Sequence, residues 1–292
     1  MQNSQYSHND FKYIDIHTHF FPPKIFKAIW DFFELPDANG NPRGWNIKYK
    51  LPIDELVKFL ESKNVKAFTT LNYAHKELVA DYINEWTNEL AKKYKNAIPF
   101  GCVWPGDRDL FKYIRKIFEN YNFVGIKAQP LVQNFFPDDK RMYEVYKLIV
   151  DLNKWYIIHA GTAPYTNKYL GYNTFIKFIE KFPNMNVIVA HMGAYECNKF
   201  FNLLDTYENL YLDTSMVYVP ENLFAKWNPN FYFPDKEKII KYSDKILFGS
   251  DFPNIPFEYE YASNGLFQLD LPKKIYENIF FNNAKRLFKI AV

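Results

Sequence analysis

The sequence predicts a single, distorted (β/α)8 barrel: eight parallel strands closed into a cylinder, each followed by a helix. Three observations carry this. The chain has 292 residues, a size at which α/β barrels commonly form one unit. From residue 52 onward, short β-branched or aromatic runs alternate with apolar stripes at helical spacing, which is the pattern of parallel strand–helix–strand units. With the opening run at Tyr13 the strands number eight, as closure requires, whereas open doubly wound sheets usually use fewer.

Taken in order, residues 1–10 are polar and are expected to form a flexible tail, with the barrel spanning 11–292. The first strand is Tyr13-Ile14-Asp15-Ile16-His17-Thr18-His19-Phe20, β-branched and aromatic as buried strands are. Phe20-Phe21-Pro22-Pro23 then opens an aromatic-rich insertion holding Trp30, Phe32, Phe33, Trp45 and Tyr49. Its Asn39-Gly40-Asn41-Pro42 turn signal argues against one long helix. A short helix and a loop are expected, covering the barrel mouth or packing in a subunit contact. Residues 52–62 have Ile53, Leu56, Val57 and Leu60 on one helical stripe. Strands are then expected at 65–71, 97–103, 123–129, 155–159, 186–191, 210–214 and 245–250. Helices are expected between them at 76–93, 107–120, 139–152, 173–182, 194–207 and 235–242, with a closing helical pattern over 272–291. No linker, low-complexity tract or repeat interrupts the alternation.

Composition narrows the function. A hydrophobic content of 48% supports a sizeable core, and a net charge of +3 is too small to suggest a nucleic-acid partner. Two cysteines, Cys102 and Cys197, cannot make a disulfide framework, so a cytoplasmic location is expected. The polar start lacks a signal peptide's apolar segment, and no apolar run approaches the roughly 20 residues of a membrane span. The expected partner is a small-molecule substrate, and the aromatic surface of residues 20–50 is compatible with a homodimer.

The histidines carry the chemistry. Residues i and i+2 of a strand share a face, so His17 and His19 project together, as half of a divalent-metal site would. The plain alternative is two solvent-facing histidines after an edge strand. His159 and His191 close two further expected strands, at the end of a barrel where active sites sit. Asp251 follows the last strand in Leu247-Phe248-Gly249-Ser250-Asp251-Phe252-Pro253, where its other role would be to cap the turn.

Asp15-Ile16-His17-Thr18-His19, Gly125-Ile126-Lys127, Ile158-His159-Ala160-Gly161, Ala190-His191-Met192-Gly193 and Gly249-Ser250-Asp251-Phe252-Pro253 occur in the order of the amidohydrolase superfamily. The chain most resembles the amidohydrolase-2 branch, which contains aminocarboxymuconate semialdehyde decarboxylase and metal-dependent hydrolases. The resemblance runs from about Tyr13 to Phe288, and Phe281-Asn282-Asn283-Ala284-Lys285-Arg286-Leu287 is similar to that branch's closing Asn-Ala helix start.

The resemblance implies one divalent ion held by His17, His19, His159 and Asp251. Imidazole and carboxylate ligands suit zinc first, with manganese, iron and cobalt as alternatives. Such an ion lowers the pKa of a bound water to about 7. In the mononuclear branch, the place of His191 belongs to a proton-transferring or water-orienting histidine; the structural alternative is a neutral core histidine. Asp251 would also take the nucleophile's proton. Lys127 has two readings: a carboxylated bridge between two metals, as in binuclear members, or a charged pocket group pairing with a substrate carboxylate or Asp251. Where the branch often has a histidine two residues further on, this chain has Gln129. Trp104, Arg108, Gln129 and Tyr165 are candidate pocket residues, with Asn72, Tyr73, Tyr169, Asp213 and Ser215 near the same rim. The leading function implied is hydrolysis of an amide, cyclic amide or lactone. The alternative is non-oxidative decarboxylation of an aromatic or muconate-like acid, which calls for a carboxylate clamp such as Arg108 or Lys127. A non-enzymatic binding barrel is the third reading.

Overall fold

The computed structural model describes residues 5–37, 39–163, 165–219, 223, 228 and 230–291. Its strands are β1 (Tyr13–Asp15), β2 (Val65–Thr69), β3 (Ala97–Ile98), β4 (Phe100–Cys102), β5 (Gly125–Ala128), β6 (Trp155–Ile158), β7 (Asn186–Val189), β8 (Leu210–Asp213) and β9 (Ile246–Leu247). They pair in parallel in the orders β1-β2-β3 and β4 through β9. The two runs belong to one barrel, because β3 and β4 are halves of a single strand broken at Pro99. Proline offers no N–H to the ladder, and Thr70 bridges the break: its N–H donates to the Ile98 carbonyl and its hydroxyl accepts from the Phe100 N–H. The other seam closes where Ile16 donates to the Phe248 carbonyl (3.0 Å), Asp251 to the His17 carbonyl (2.8 Å) and His19 to the Phe252 carbonyl (2.7 Å). The expected eight-stranded (β/α)8 barrel is the fold, and it forms one domain.

Alternation along each strand decides what faces the lumen. Ile14, Ile16, Ala67, Ile98, Phe100, Ile157, Ile188 and Leu247 fill the inner cluster, and Phe281 and Phe288 join it from the final helical segment. Tyr156, Ile158, Val187, Val189, Leu210 and Leu212 point outward into the larger layer beneath the helices. Lys127 lies opposite Ile157, which places a lysine on the lumen side.

Several boundaries differ from expectation, each for a local reason. The helix expected from 76 starts at Ala80, because Leu78 is left-handed (φ 64°) and its N–H is held by Asp107 at 2.8 Å. The insertion carries a helix over Pro23–Glu34 and is fastened to the loop after β9. Trp45 donates to the Asn254 carbonyl at 2.7 Å, and Tyr49 accepts from the Tyr259 N–H at 2.8 Å. The closing helix is three pieces: Lys273–Glu277, a π-turn over Asn278–Asn282, and Asn283–Phe288. The π-turn frees the Ile279 carbonyl for the Phe248 N–H at 3.0 Å. Asn283 donates to the Ser243 and Ile246 carbonyls at 2.7 and 2.8 Å, which gives the Asn-Ala motif its structural task.

The expected flexible tail ends earlier than Asp10. His8 is buried and stacked on Tyr13 at 4.3 Å, with Nδ1 2.8 Å from the Ser263 hydroxyl and Nε2 2.8 Å from the Lys63 carbonyl. A buried imidazole with both nitrogens partnered anchors the segment. No helix of the described residues is long and apolar enough to cross a membrane.

Candidate metal centre

The seam between β1 and the segment after β9 builds the centre. Extended pairing there puts His17 and His19 on one side, with ring centroids 5.2 Å apart, and turns Thr18 to the Thr69 carbonyl. Gly249 has to be glycine: a Cβ there would sit 2.7 Å from the Cβ of His17. Asp15 clamps the same seam, accepting from the His17 N–H (3.1 Å), the Ser250 N–H (3.1 Å) and hydroxyl, and the Tyr259 hydroxyl (2.8 Å).

The hydrogens of this cluster are placed by the acceptors around it. His19 Nδ1 lies 2.5 Å from the Leu71 carbonyl, which can only accept, so Nδ1 carries the hydrogen and Nε2 a lone pair. His17 Nδ1 donates to Asp213 Oδ2 at 2.8 Å, so its Nε2 also carries a lone pair. Both Nε2 atoms converge on Asp251 Oδ1, at 3.3 Å from His17 and 2.9 Å from His19. Three electron-rich atoms turned toward one another fit a cation. His159 supplies a fourth: its Nε2 donates to the Ala163 carbonyl at 3.0 Å, leaving Nδ1 buried and without a hydrogen-bond partner. His17, His19 and Asp251 place ligand atoms within 4.8 Å of one another. His159 stands beside that trio rather than inside it, with its ring 4.8 Å from that of His191. The donor set therefore fits a divalent ion.

Electrostatics agree. Burial lowers the His17 imidazole to about 4, and lowers His159 and His191 in the same direction. The rings are thus neutral near pH 7, as ligands must be. Burial alone would raise the Asp213 and Asp251 carboxyls, yet the surrounding imidazoles outweigh it and hold both well below the usual carboxylate range.

His191 is reached differently from the expected strand through 191 and helix from 194. β7 stops at Val189, and His191, Met192, Gly193 and Ala194 run through consecutive left-handed conformations (φ 56°, 51°, 81° and 50°). Such backbone is rare outside glycine and collects at functional sites. Asp213 Oδ1 fixes it by accepting the His191 N–H at 3.0 Å. The His191 ring then lies 4.8 Å from that of His17, with Nδ1 2.8 Å from the Ser215 hydroxyl.

The other predicted residues divide. Lys127 is buried with no hydrogen-bond partner on Nζ among the described residues. Burial lowers its pKa to about 8, against the pull of Asp213 and Asp251. Gln129 has a buried, unpartnered Oε1, and the Tyr73 ring meets that of His19 edge-on at 5.8 Å. Trp104 is half-buried with its backbone N–H on the Tyr113 hydroxyl. Asn72 braces the Phe20 backbone and Thr87, and Tyr169 packs on Phe136. Arg108 and Tyr165 are exposed and do not join the cluster. Asp213 and Ser215, read from sequence only as rim residues, prove to be the partners that orient His17 and His191. The signal was a polar Asp-Thr-Ser ending an apolar strand. A groove of about 730 Å³ lined by Phe26, Trp30, Trp86 and Tyr94 lies elsewhere and takes in none of the cluster.

The glycines of the two histidine motifs have a shared purpose. A Cβ at Gly161 would stand 2.3 Å from the Gly193 carbonyl, so the His159 and His191 loops touch backbone to backbone. Gly161→Ala is expected to force them apart and destabilise the fold by about 1–3 kcal/mol, the usual cost of overpacking, read as a lower midpoint in urea.

A barrel that gathers imidazoles and carboxylates at the C-terminal ends of its strands, with donors suited to a divalent ion, defines a class: the metal-dependent barrel enzymes. Within that class the chain belongs to the amidohydrolase family, whose model, described as Amidohydrolase, matches residues 14–290. Solved structures give the same fold. A dihydroxybenzoic acid decarboxylase from Polaromonas sp. JS666, with bound manganese and the inhibitor 2-nitroresorcinol, is 16% identical (96% of this chain, 97% of that one, TM-score 0.67). A 5-carboxyvanillate decarboxylase from Sphingomonas paucimobilis is 14% identical (96% and 100%, TM-score 0.67). A 4-oxalomesaconate hydratase from Rhodopseudomonas palustris is 20% identical (95% and 95%, TM-score 0.59). At such identities the likeness shows the fold alone. No curated protein sequence matches the chain.

Proposed function

We propose that the protein is a metal-dependent carboxy-lyase that removes the carboxylate of a small organic acid without redox chemistry. The observation that carries this reading is Lys127. An ammonium on the lumen side, buried and lacking any hydrogen-bond partner among the described residues while Asp213 and Asp251 act on it only through space, is costly unless an anion meets it directly. Arg108, the other clamp considered, is exposed. Two of the similar structures are decarboxylases by name.

One divalent ion, zinc or manganese, would be held by His17, His19 and Asp251 with His159 alongside, and would polarise a substrate oxygen as a Lewis acid. The chain's own residues do the rest. Lys127 binds the substrate anion in a desolvated site, where a charge-assisted hydrogen bond is strong. Buried side chains around it keep water from competing. The bond from carbon to carboxylate breaks, its electron pair stays on the carbon, and carbon dioxide leaves. The carbon gains one proton in exchange. His191 holds Nδ1–H on Ser215, so its Nε2, which carries the lone pair in the neutral ring, first takes a proton from solvent and then passes it to that carbon.

Hydrolysis of an amide, cyclic amide or lactone is the second reading. Asp251 favours it: its side chain is 21% exposed beside His19, placed to take a proton from water. Ion-loaded protein should be incubated with unsaturated and aromatic carboxylic acids and, separately, with amides and lactones. Carbon dioxide from the acids alone is the expected result. Ring-opened or amine products without carbon dioxide would reject the carboxy-lyase in favour of the hydrolase.

A further inference from the structure

We infer that Asp213 is a positioning residue that sets which nitrogen of His17 carries the proton and, through Ser215, does the same for His191. The inference rests on the metal-centre reading given above, and it is carried by an inventory of hydrogens in a fully buried cluster.

Asp213 Oδ2 faces His17 Nδ1 at 2.8 Å. Asp213 Oδ1 accepts three donors: the His191 N–H at 3.0 Å, the Ser215 N–H at 3.0 Å, and the Ser215 hydroxyl. The serine has one hydrogen, and it is spent on Asp213. The Ser215 hydroxyl oxygen can then only accept from the imidazoles, at 2.8 Å from His191 Nδ1 and 3.1 Å from His17 Nδ1. His191 Nδ1 also faces the Ser215 carbonyl at 3.1 Å. Among the described residues, the hydrogen-bonding neighbours of both Nδ1 atoms are thus acceptors. Both rings are held as Nδ1–H tautomers, with the lone pair on Nε2. For His17 that is the nitrogen directed at Asp251 and the ion. One carboxylate thereby sets one ring directly and the other through a hydroxyl.

The two oxygens of Asp213 are not interchangeable, and that makes the inference sharp. Two backbone N–H groups cannot turn away from Oδ1. In Asp213→Asn the amide oxygen must occupy that place, so the amide NH2 faces His17 Nδ1. A donor now meets a donor. His17 has to move its proton to Nε2, the atom the ion needs. A nearly isosteric change is expected to invert one tautomer and so spoil a ligand it does not itself provide.

The test is imidazole ¹H–¹⁵N NMR on protein freed of metal by chelator, wild type beside Asp213→Asn, with zinc affinity measured by chelator competition. The wild type should show protonated Nδ1 on His17 and His191. Asp213→Asn should show unprotonated Nδ1 on His17, with zinc affinity lower by about 10–100-fold, as for loss of an outer partner. Wild-type His17 protonated at Nε2 would overturn the inference. So would an Asn variant that keeps both Nδ1–H and its zinc affinity. If Asp213→Asn does not fold, the wild-type tautomers alone decide. A wild type that takes up no zinc would refute the metal centre, and the tautomers would still judge Asp213 separately.

Discussion

His17→Ala should yield protein that retains no divalent ion and turns nothing over. His17 contributes more than a ligand atom. Its Nε2 is one of three lone-pair atoms meeting within 4.8 Å, and its Nδ1–H donates to Asp213 Oδ2 at 2.8 Å. Removing it leaves Asp213 Oδ2 without its imidazole donor. Ion affinity should fall by more than the roughly 10–100-fold that loss of an outer partner costs. Calorimetric melting gives a second reading of the same event. An ion at a hundred times its Kd stabilises the folded state by about 2.7 kcal/mol. That gain should appear in the wild type and vanish in His17→Ala. A variant that still melted higher with added zinc would place the ion elsewhere.

Lys127→Met should separate function from stability. The side chain is buried, and its ammonium has no hydrogen-bond partner, so the fold bears a desolvation cost for it. Methionine has similar length and no charge. Chemical denaturation should therefore show the variant as stable as the wild type or more stable, by up to about 1–4 kcal/mol as for other buried charges replaced by apolar groups. The ion should remain, since the gathered ligand atoms belong to His17, His19 and Asp251; its loss would favour the two-metal reading of Lys127. Decarboxylation of acids should fall by at least about 100-fold, the order expected when a buried charge-assisted contact worth about 3 kcal/mol is lost. Unchanged turnover with raised stability would make Lys127 a relic of packing and end its role as an anion partner.

The barrel was legible because its alternation of strands and helices is a matter of spacing, and spacing is written directly in the chain. His17 and His19 were legible for the same reason: two residues apart on an extended backbone leaves their side chains one direction to share. The turn at His191 was not. An apolar run ending in histidine reads as strand to its last residue, and nothing local announces four left-handed residues whose backbone is fixed from another strand by Asp213. The anchoring of His8 was hidden likewise, since its partners Lys63 and Ser263 lie 55 and 255 residues away. Asp213 was visible only as a polar strand end. Its purpose depends on a contact with His17 across 196 residues, which no window of sequence displays. Arg108 errs in the opposite sense: an arginine just past a strand looks like a clamp, and only the path of the loop leaves it in solvent.

The candidate ligands straddle the seam where the barrel's opening and closing strands meet, with His19 and Asp251 separated by 232 residues. A chain still on the ribosome cannot assemble this centre until residue 251 has emerged, and contacts so distant along the chain are slow to form. A nascent or truncated product therefore has nowhere to hold its metal. Uptake of an ion there would report that the two ends of the sheet have met, and the ion would act as a clasp that keeps them from parting.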